Sequence, residues 1–505
     1  MKGGTVVEGG LAEAATLNPI LATDSASLRL IDKMFDSLLT VDPQNGALRP
    51  GLAAAWQISG QTVTFTLRSD VLWHDGKTLT AEDVAFTFEA VLSPTVASPL
   101  APALTAVQDF AALNKDTFVV RLSEAGCPIL YDLGRVGILP RHLLADQDIP
   151  TSPFNTRSPV GSGPFMFKER SPGEHITLAK NPRYYRGAPR LDAWTFKVVA
   201  DEEELLAGLK AGELDVAYLR PEDLSEVEAL GRFEIYRYPV VGRDADATPY
   251  YFIAYNNDHP ILGDRWVRRA LSYALDRQRL IDVILDGQGE PLAVGLPPGH
   301  WAHPKNLAPY PFDPQVARRI LAQTGWTDSD GDGILDKDGQ PFRLGIIVNA
   351  ENEVRQTIAV LAQGYYHAIG VAAEVRSVEW STFLVWIFLH EFDVAIFSWP
   401  LKLDPDQTLL WRSDENALYA GFNFVSYRNS WVDFLLKAGR FSPDCDREAR
   451  TTIYHWLQQE LAYDQPYDFL FTPYELLAVN RRITGLAPSP FAGPFWNVAK
   501  WYVAQ

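Results

Sequence analysis

Three short apolar runs decide the fold: FRLGIIV (342–348), VAAEVRSV (371–378) and DVAIF (393–397). Each run has the length of a strand, and helical spacing fills both intervals, over about 353–369 and over EWSTFLVWIFL (379–389). This alternation predicts a mainly parallel sheet with right-handed crossovers, so the fold class is α/β. In open sheets of this kind, ligands bind beyond the carboxyl ends of the strands. Residues 398–406, which follow the third strand, are therefore candidates for a binding site.

Two further segments carry helix signals outside this region. GDRWVRRALSYALDRQRLIDVIL (263–285) has helical spacing throughout, with Asp264 as its cap, and it predicts one long helix. Within residues 73–92, Thr80 is followed three positions later by Asp83, which is the pattern of a capping box. Strands and helices therefore alternate along much of the chain.

Composition excludes several classes of protein. The chain has 505 residues, of which 47% are hydrophobic, enough for two or three lobes of roughly 150 residues each. A formal charge of −18 argues against nucleic acid or an anionic membrane as the main partner. No apolar run is long enough to predict a spanning helix. Cys127 and Cys445 fit neither a disulfide framework nor a zinc pattern, so isolated thiols are favoured, with one long-range bridge as the alternative.

Signatures of common enzymes are absent from the sequence. GSGPF (161–165) has the wrong glycine spacing for a nucleophile elbow, and there is no P-loop, dinucleotide fingerprint or H-E-x-x-H motif. His300 and His303 are close in sequence, but the neighbouring prolines favour a structural loop over a metal site. A hydrolase remains an alternative without a recognisable nucleophile or carboxylate pair.

An acidic stretch, DSDGDGILDKDG (328–339), resembles part of a calcium loop. Glycine stands at position six, and the ligand positions one, three, five and nine are filled by Asp328, Asp330, Asp332 and Asp336. Position twelve is Gly339, where such loops carry a bidentate glutamate. An Asp/Gly-rich turn is therefore favoured, and structural calcium is the alternative. No other cofactor is predicted.

Ordered motifs run along nearly the whole chain. They include TLNPI (16–20), FTLRSDVLWHDGKTLTAEDVAFTFE (65–89), GSGPFMF (161–167), FIAYNNDHPILGDRWVRRALSYALDRQRLI (252–281) and EWSTFL…FDVAIFSW (379–399). In this combination they resemble the family 5 extracellular solute-binding proteins of ABC importers, the group that binds oligopeptides, dipeptides and nickel. The resemblance implies a two-lobe, periplasmic-binding-protein-like fold of type II that closes around its ligand.

The resemblance also implies where the domains lie. Lobe I would consist of 1–40, 159–248 and 477–505, with an extra subdomain at 41–158. Lobe II would span 249–476, and the hinge would lie near 239–250 and 472–480.

The function implied by the resemblance is transport without catalysis. The protein would be a monomer that captures a peptide-like solute between its lobes and delivers it to a membrane permease. An oligosaccharide or other non-peptide solute is one alternative, and a receptor-type sensor is another. The family is exported, so we expect a periplasmic or extracellular protein, free or lipid-anchored, whose signal peptide has been removed.

The ligand contacts of the family are only partly reproduced. Its peptide binders hold the ligand amine with an aspartate three residues after the tryptophan that corresponds to Trp399, and here that position is Lys402. Positions where some members place arginines for the ligand carboxylate are Ile387 and Ile396. A buried cation facing an ammonium group is unfavourable, so the zwitterionic pocket is not reproduced.

The predicted site is therefore built on aromatic stacking. We expect Trp380 and Trp399 to hold the ligand. Glu13 resembles a glutamate at the edge of the family pocket, and it would pair with Lys402 or bind a ligand amine. The remaining predicted contacts are Ser398, Asp404, Gly161 and Gly163.

Overall fold

The computed structural model describes residues 3–124, 126–242, 247–416 and 421–504. The chain divides into two compact units. Unit 1 contains the described residues up to 242, Pro443–Cys445 and the described residues from Glu475 onward. Unit 2 contains the described residues of Ala247–Ser442 and Asp446–Tyr474. Residues 243–246, part of the predicted hinge segment 239–250, lie outside the described residues.

The secondary structure alternates in both units. The strands before residue 243 are β1 Thr5–Gly10, β2 Leu39–Val41, β3 Leu48–Pro50, β4 Ala53–Ser59, β5 Thr62–Leu67, β6 Val107–Asn114, β7 Thr117–Leu122, β8 Phe165–Ser171, β9 His175–Lys180, β10 Ala193–Val198, β11 Val216–Tyr218 and β12 Phe233–Tyr238. The helices of this part are α1 Ser25–Met34, α2 Ala81–Leu92, α3 Ile129–Gly134, α4 Arg141–Leu144, α5 Glu202–Ala211 and α6 Leu224–Ala229.

Unit 2 follows the same pattern. Its strands are β13 Pro249–Tyr255, β14 Gly289–Pro291, β15 Asp336–Lys337, β16 Gln340–Pro341, β17 Arg343–Asn349, β18 Ala372–Val378, β19 Val394–Pro400 and β20 Tyr467–Pro473. Its helices are α7 Arg265–Tyr273, α8 Arg277–Leu285, α9 Pro314–Gln323, α10 Glu353–His367, α11 Trp380–Phe388, α12 Thr408–Trp411, α13 Ser430–Arg440 and α14 Arg447–Asp464. The chain then returns to unit 1 with β21 Glu475–Asn480, β22 Ile483–Thr484 and β23 Tyr502–Val503.

Unit 1 is built on a sheet with the strand order β12-β21-β11-β1-β10-β9-β8. β1 pairs parallel with both β10 and β11. One face of this sheet buries Val6, Trp194 and Phe196 in the main core. A smaller sheet, β4-β5-β7-β6, adjoins α2. The predicted capping box at the start of α2 is confirmed, since Asp83 Oδ2 accepts a hydrogen bond from the Thr80 backbone N–H at 2.9 Å.

The sheet of unit 2 is mixed, which corrects the prediction of a mainly parallel one. Its strand order is β14-β20-β13-β19-β17-β18. The predicted β-α-β-α-β segment is confirmed, and β17 runs parallel to both β18 and β19. β13 pairs antiparallel with β19, and β20 pairs antiparallel with β13. Those two strands come from distant parts of the chain, so local periodicity carried no information about their direction.

The predicted single helix over 263–285 is wrong, because the structure divides it into α7 and α8. Asp276 has extended backbone angles, and its carboxylate accepts from the Arg279 backbone N–H at 2.9 Å. It therefore begins a second helix in the middle of a continuous apolar pattern. Among the described residues, no helix is both long enough and apolar enough to cross a bilayer.

The prediction of isolated thiols is also wrong. Cys127 and Cys445 form a disulfide with an S–S distance of 2.02 Å, across a sequence separation of 318. Cys445 lies between α13 and α14, in the short segment Pro443–Cys445 that packs with unit 1. The pairing depends on this long-range return of the chain, which the sequence does not reveal.

Candidate functional site

The candidate site lies at the carboxyl ends of β17, β18 and β19, where residues 398–406 were expected to leave the sheet. β19 extends three residues beyond the predicted end at Phe397 and finishes at Pro400. The extension forms because Ser398 and Trp399 pair with Tyr251 and Tyr250 of β13. Ser398 and Trp399 are therefore strand residues, and the loop begins after Pro400.

Trp380 lies at this end of the sheet as the first residue of α11. Its side chain is 38% exposed. Its ring is almost parallel to that of Phe397, with an interplanar angle of 2° and centroids 6.1 Å apart. The ring of Phe383 lies 5.8 Å from both and completes a group of nearly parallel rings. This arrangement holds Trp380 in place and leaves part of its indole available for contact.

Trp399 joins the same group from β19. Its ring meets Phe397 edge to face, with centroids 4.9 Å apart, and it lies 5.5 Å from Phe422 and 6.2 Å from Phe424. Its indole nitrogen lies 3.5 Å from the Tyr467 hydroxyl. The side chain is half-buried. We call Trp380, Phe397, Trp399, Phe422 and Phe424 the aromatic edge.

Arg355, in the first turn of α10, lies beside the aromatic edge. Its guanidinium carbon is 4.5 Å from the ring centre of Phe397 and 5.6 Å from that of Trp380. Nη2 donates to Ser398 Oγ at 2.8 Å, and Nη1 donates to Asn349 Oδ1 at 3.0 Å. The residue is only 8% exposed. Burial lowers the pKa of Arg355, with Tyr251 acting in the opposite direction.

Two exposed carboxylates border this edge, and both bind α11. Glu379 caps the helix by accepting from the backbone of Ser381 at 2.9 Å. Glu351 accepts from the Trp380 backbone N–H at 3.0 Å. Hydrogen bonds lower the pKa of each carboxyl, from Ser381 for Glu379 and from backbone N–H groups for Glu351. These acids therefore fix the position of Trp380.

The loop after β19 contains two of the predicted contacts, Lys402 and Asp404, and the structure places them in different surroundings. Arg450 Nη2 donates to both carboxylate oxygens of Asp404, at 3.0 and 2.9 Å. Burial raises the pKa of Asp404, and Arg450 opposes that shift. His300 holds the same loop through the Leu403 carbonyl oxygen at 2.8 Å, which agrees with its predicted structural role. Asp404 is thus engaged by its own chain, and Lys402 lies in the same loop with an exposed side chain.

In unit 1, Glu13 has partners of its own. Arg170 donates to Glu13 Oε1 from Nη2 at 2.6 Å and from Nε at 2.9 Å. The Gly173 backbone N–H donates to Glu13 Oε2 at 3.1 Å. The carboxylate predicted to pair with Lys402 or with a ligand amine is therefore paired with Arg170.

Gly161 and Gly163 are buried against the end of α1. A Cβ on Gly161 would collide with the Met34 carbonyl oxygen, and one on Gly163 would lie 2.6 Å from the Met34 carbonyl carbon. The Gly163 N–H donates to that carbonyl oxygen at 2.8 Å, and Gly161 exchanges hydrogen bonds with His74. Close packing therefore accounts for both glycines.

The acidic stretch 328–339 forms an exposed turn. The carboxylates of Asp328, Asp330 and Asp332 each have an oxygen within 4.8 Å of the others. Asp336 is directed elsewhere and accepts from the Ser329 backbone N–H at 2.9 Å. Asp328 accepts from the backbone N–H groups of Gly331 and Gly333. Local hydrogen bonds therefore organise these aspartates as a turn.

A separate concavity of about 690 Å³ lies on unit 1. It occupies the face of β9 and β10 that is opposite the main core, with Thr177, Thr195 and Lys197 in its lining. None of the predicted contact residues lines it. We do not assign it a function.

Sequence reasoning missed Arg355 and the three phenylalanines of the aromatic edge. A signal existed for Arg355, since a cation in the first turn of a helix opposes the helix dipole and needs another reason to be there. Phe422 and Phe424 carried no such signal, because they approach Trp399 from a distant segment of the chain.

Known proteins resemble this chain over its whole length. Oligopeptide-binding protein AppA of Bacillus subtilis (strain 168) is 31% identical over 518 residues, covering 100% of this chain and 92% of that protein. Protein XP55 of Streptomyces lividans is 32% identical and covers 95% of this chain and 86% of that protein.

Solved structures agree with these relatives. AppA from Bacillus subtilis in complex with a nonapeptide has a TM-score of 0.65 at 30% identity, and both chains are covered completely. NikZ from Campylobacter jejuni in complex with Ni(L-His) has a TM-score of 0.68 at 28% identity and covers 99% of each chain. The family described as Bacterial extracellular solute-binding proteins, family 5 Middle, matches residues 47–418. The predicted two-lobe α/β fold class is confirmed, and the chain belongs to the family 5 extracellular solute-binding proteins.

Proposed function

We propose that this protein is the substrate-binding component of an ABC importer and that it captures a peptide-like solute at the aromatic edge. The observation that carries the proposal is the group of partly exposed rings, Trp380 and Trp399, at the carboxyl ends of a parallel strand set. Relatives named for peptide binding support the peptide class, and one of their structures holds a nonapeptide.

The aromatic edge suits a ligand of varied sequence. Rings held by their neighbours offer flat apolar area at little entropic cost, and they accept many side chains without selecting one. Ser398 and the exposed parts of the loop after β19 add polar contacts. The proposed role has no catalytic step. Its partner would be a membrane permease, and its place would be outside the cytoplasmic membrane, free or lipid-anchored.

The proposed function also depends on a hinge between the two units. The chain passes from unit 1 to unit 2 between residues 242 and 247 and returns between Tyr474 and Glu475, apart from the short segment Pro443–Cys445, which also belongs to unit 1. These passages support the predicted hinge segments 239–250 and 472–480. Closure about such a hinge is the motion by which binding proteins commonly report an occupied site.

A non-peptide solute is the second candidate. Its support is the combination of stacking rings with the exposed carboxylates of Glu351 and Glu379, which is also the chemistry that holds oligosaccharides. The structure of NikZ from Campylobacter jejuni in complex with Ni(L-His) supports a small ligand as an alternative. A receptor-type sensor would use the same site with a signalling partner in place of the permease.

Native mass spectrometry of the purified protein separates these candidates. We expect an added mass in the native spectrum, and we expect denaturation to release a mixture of short peptides. A released glycan or metal complex would replace the peptide reading with the second candidate. Turnover of the released compound by the protein would contradict the non-catalytic role.

A further inference from the structure

Large aromatic side chains form an exposed surface on three helices of unit 2. Trp431 and Phe434 belong to α13, Trp456 and Tyr463 to α14, and Trp266 to α7. Each of these side chains is between 39% and 57% exposed. We call these five residues the exposed ring cluster. Grouped apolar side chains on a protein surface mark sites of interaction with a protein or a membrane.

The rings of the cluster lie next to one another. The ring of Trp431 stacks with that of Phe434 at a centroid distance of 5.2 Å and lies 6.3 Å from that of Trp456. The ring of Trp266 lies 6.4 Å from that of Tyr463. Trp456 and Tyr463 are about two helical turns apart, so they share one face of α14. The cluster is therefore a single surface.

Part of the cluster lies at the end of the sheet opposite the aromatic edge. β13 and β19 are antiparallel, with Tyr250 opposite Trp399 at one end and Tyr255 opposite Val394 at the other. α14 ends at Asp464, just before β20 enters the sheet at this second end. Tyr463 is therefore far from Trp399, and a ligand on the aromatic edge would leave it uncovered.

Positive charge borders these rings. The guanidinium carbon of Arg269 is 4.4 Å from the ring centre of Trp266 and 4.7 Å from that of Tyr463. The guanidinium carbon of Arg265 is 4.9 Å from the ring centre of Tyr463. The side chain of Arg265 stays 45% exposed although it pairs with Asp464. On a chain with a net charge of −18, this border is a local exception.

Two carboxylates near the cluster are engaged by their own chain. Glu460 Oε1 accepts from Asn429 Nδ2 at 3.2 Å. Asp433 Oδ1 accepts from the Ser413 backbone N–H at 2.8 Å. These bonds direct both carboxylates toward protein groups, so the rings and Arg265 dominate the chemistry of the surface.

The headgroup layer of a phospholipid bilayer complements this surface. Tryptophan and tyrosine side chains favour the boundary between water and acyl chains, because their rings are apolar and carry one polar group. A zwitterionic headgroup supplies a phosphate, which an arginine binds, and an ammonium group, which aromatic faces attract. The net charge of −18 disfavours an anionic bilayer. Zwitterionic lipid is therefore the partner that fits both the rings and the charge.

We propose that the exposed ring cluster binds the surface of a bilayer with zwitterionic phospholipid headgroups. The rings lie at the level of the headgroups, and Arg265 contacts a lipid phosphate. The inference goes beyond the proposed function, and the ligand site takes no part in it. Such contact would hold the protein on the membrane surface in addition to any lipid anchor.

Flotation of the full protein with phosphatidylcholine vesicles, without ligand, tests the proposal. The wild-type protein should float with the vesicles, and phosphatidylcholine brominated in its acyl chains should quench part of the tryptophan fluorescence. The triple variant with Trp431→Ser, Phe434→Ser and Trp456→Ser should bind at least about a hundredfold more weakly, since each half-exposed ring contributes about tenfold. Melting curves check that the variant is folded.

The single variants Trp456→Ser and Trp496→Ser form a matched pair. The two tryptophans are 48% and 41% exposed, and Trp496 lies in unit 1. Trp456→Ser should weaken vesicle binding by about tenfold, and Trp496→Ser should leave it unchanged. Arg265→Gln should weaken binding to phosphatidylcholine by about fivefold and should have no effect on galactolipid vesicles, which lack phosphate.

Two results would overturn the proposal: a wild-type protein that does not float, or a triple variant that floats equally well. If the same residues matter only when the vesicles contain a membrane protein, the surface binds a protein partner and the lipid proposal is wrong. Peptide binding is judged separately by native mass spectrometry. Its failure would contradict the proposed function and leave the vesicle result unchanged.

Discussion

The predicted contact residues of unit 1 and the residues around the aromatic edge of unit 2 differ in how their polar groups are satisfied. In unit 1, Glu13 is held by Arg170, and the glycines Gly161 and Gly163 are packed against α1. In unit 2, Trp380 remains 38% exposed, and Arg355 keeps an unused donor. Groups that are satisfied within the chain hold its shape, whereas partly exposed rings remain available to a ligand. Stability and binding should therefore respond to different substitutions.

The largest expected effect is on the free energy of unfolding, and it should differ between Arg277, which is ion-paired, and Arg355, which forms no ion pair among the described residues. Arg277→Met leaves the Asp468 carboxylate buried without its cation, and we expect the free energy of unfolding to fall by about 3–5 kcal/mol. Arg355→Met removes a cation that has only neutral partners, and we expect a loss below about 2 kcal/mol. Urea unfolding monitored on both variants measures the difference. Equal losses would show that Arg355 is a structural residue like Arg277.

The disulfide lies in unit 1 and, like the Glu13–Arg170 ion pair, is expected to stabilise the fold without binding the ligand. Cys445→Ser opens a covalent link between residues far apart in sequence, and we expect a loss of about 2–4 kcal/mol in stability. We expect ligand affinity to change less than about twofold, because the bridge belongs to unit 1 and the aromatic edge to unit 2. Calorimetric melting with and without a reductant gives the first quantity, and titration gives the second. A large change in affinity would link the bridge to the site.

The substitution Trp399→Ala directly tests whether the aromatic edge binds the ligand. At a ligand concentration of 100 Kd, binding stabilises the wild-type protein by roughly 2.7 kcal/mol, and we expect this variant to lose that stabilisation. Trp431→Ala is the matched control, since Trp431 is also exposed, at 45%, and lies on α13 outside the aromatic edge. Thermal-shift measurements with the recovered ligand compare the two. An unchanged shift in Trp399→Ala would remove that residue from the site.

Glu13→Gln should have a smaller effect on stability, and it tests whether this unit 1 residue has a structural role only. The substitution weakens the half-exposed ion pair with Arg170, and we expect a loss of about 1 kcal/mol in stability. Affinity for the recovered ligand should remain within about twofold of wild type. A tenfold loss of affinity without a loss of stability would return Glu13 to the ligand contacts.

The smallest effect concerns the acidic turn. Because the glutamate at position twelve is missing and Asp336 is bound to Ser329, we expect millimolar calcium to move the melting temperature by no more than about 1–2 °C. The control is the same titration after Asp328→Asn and Asp330→Asn. A rise of several degrees in the wild-type protein alone would establish structural calcium.

Local patterns predicted the elements that local chemistry determines. The strands at 342–348 and 371–378 have alternation and length of their own, and the cap at Thr80 follows from two residues in one turn. The break at Asp276 was missed because the apolar spacing continues across it. The pairing of β19 with β13 was missed because the two strands are distant in sequence, and it decides that Trp399 lies in a strand.

The positions of some candidate site residues could be predicted from the sequence. The structure brings Trp380, Ser398 and Trp399 together at the strand ends where the sequence placed them, and their role as ligand contacts stays a prediction. Asp404 was predicted as a ligand contact from its place in the loop after the strand, and Glu13 from its resemblance to a glutamate at the edge of the family pocket. Their arginine partners come from α14 and β8, which are distant in sequence. Which side chains meet is decided by the tertiary fold and cannot be read from the sequence. For the same reason, the sequence did not reveal that Arg355 is buried with only neutral hydrogen-bond partners.

The most direct test of the account is a crystal structure of the protein with the ligand recovered from its own purification. The account predicts a peptide-like ligand that contacts the rings of Trp380 and Trp399. Ligand density away from the aromatic edge would contradict the proposed site.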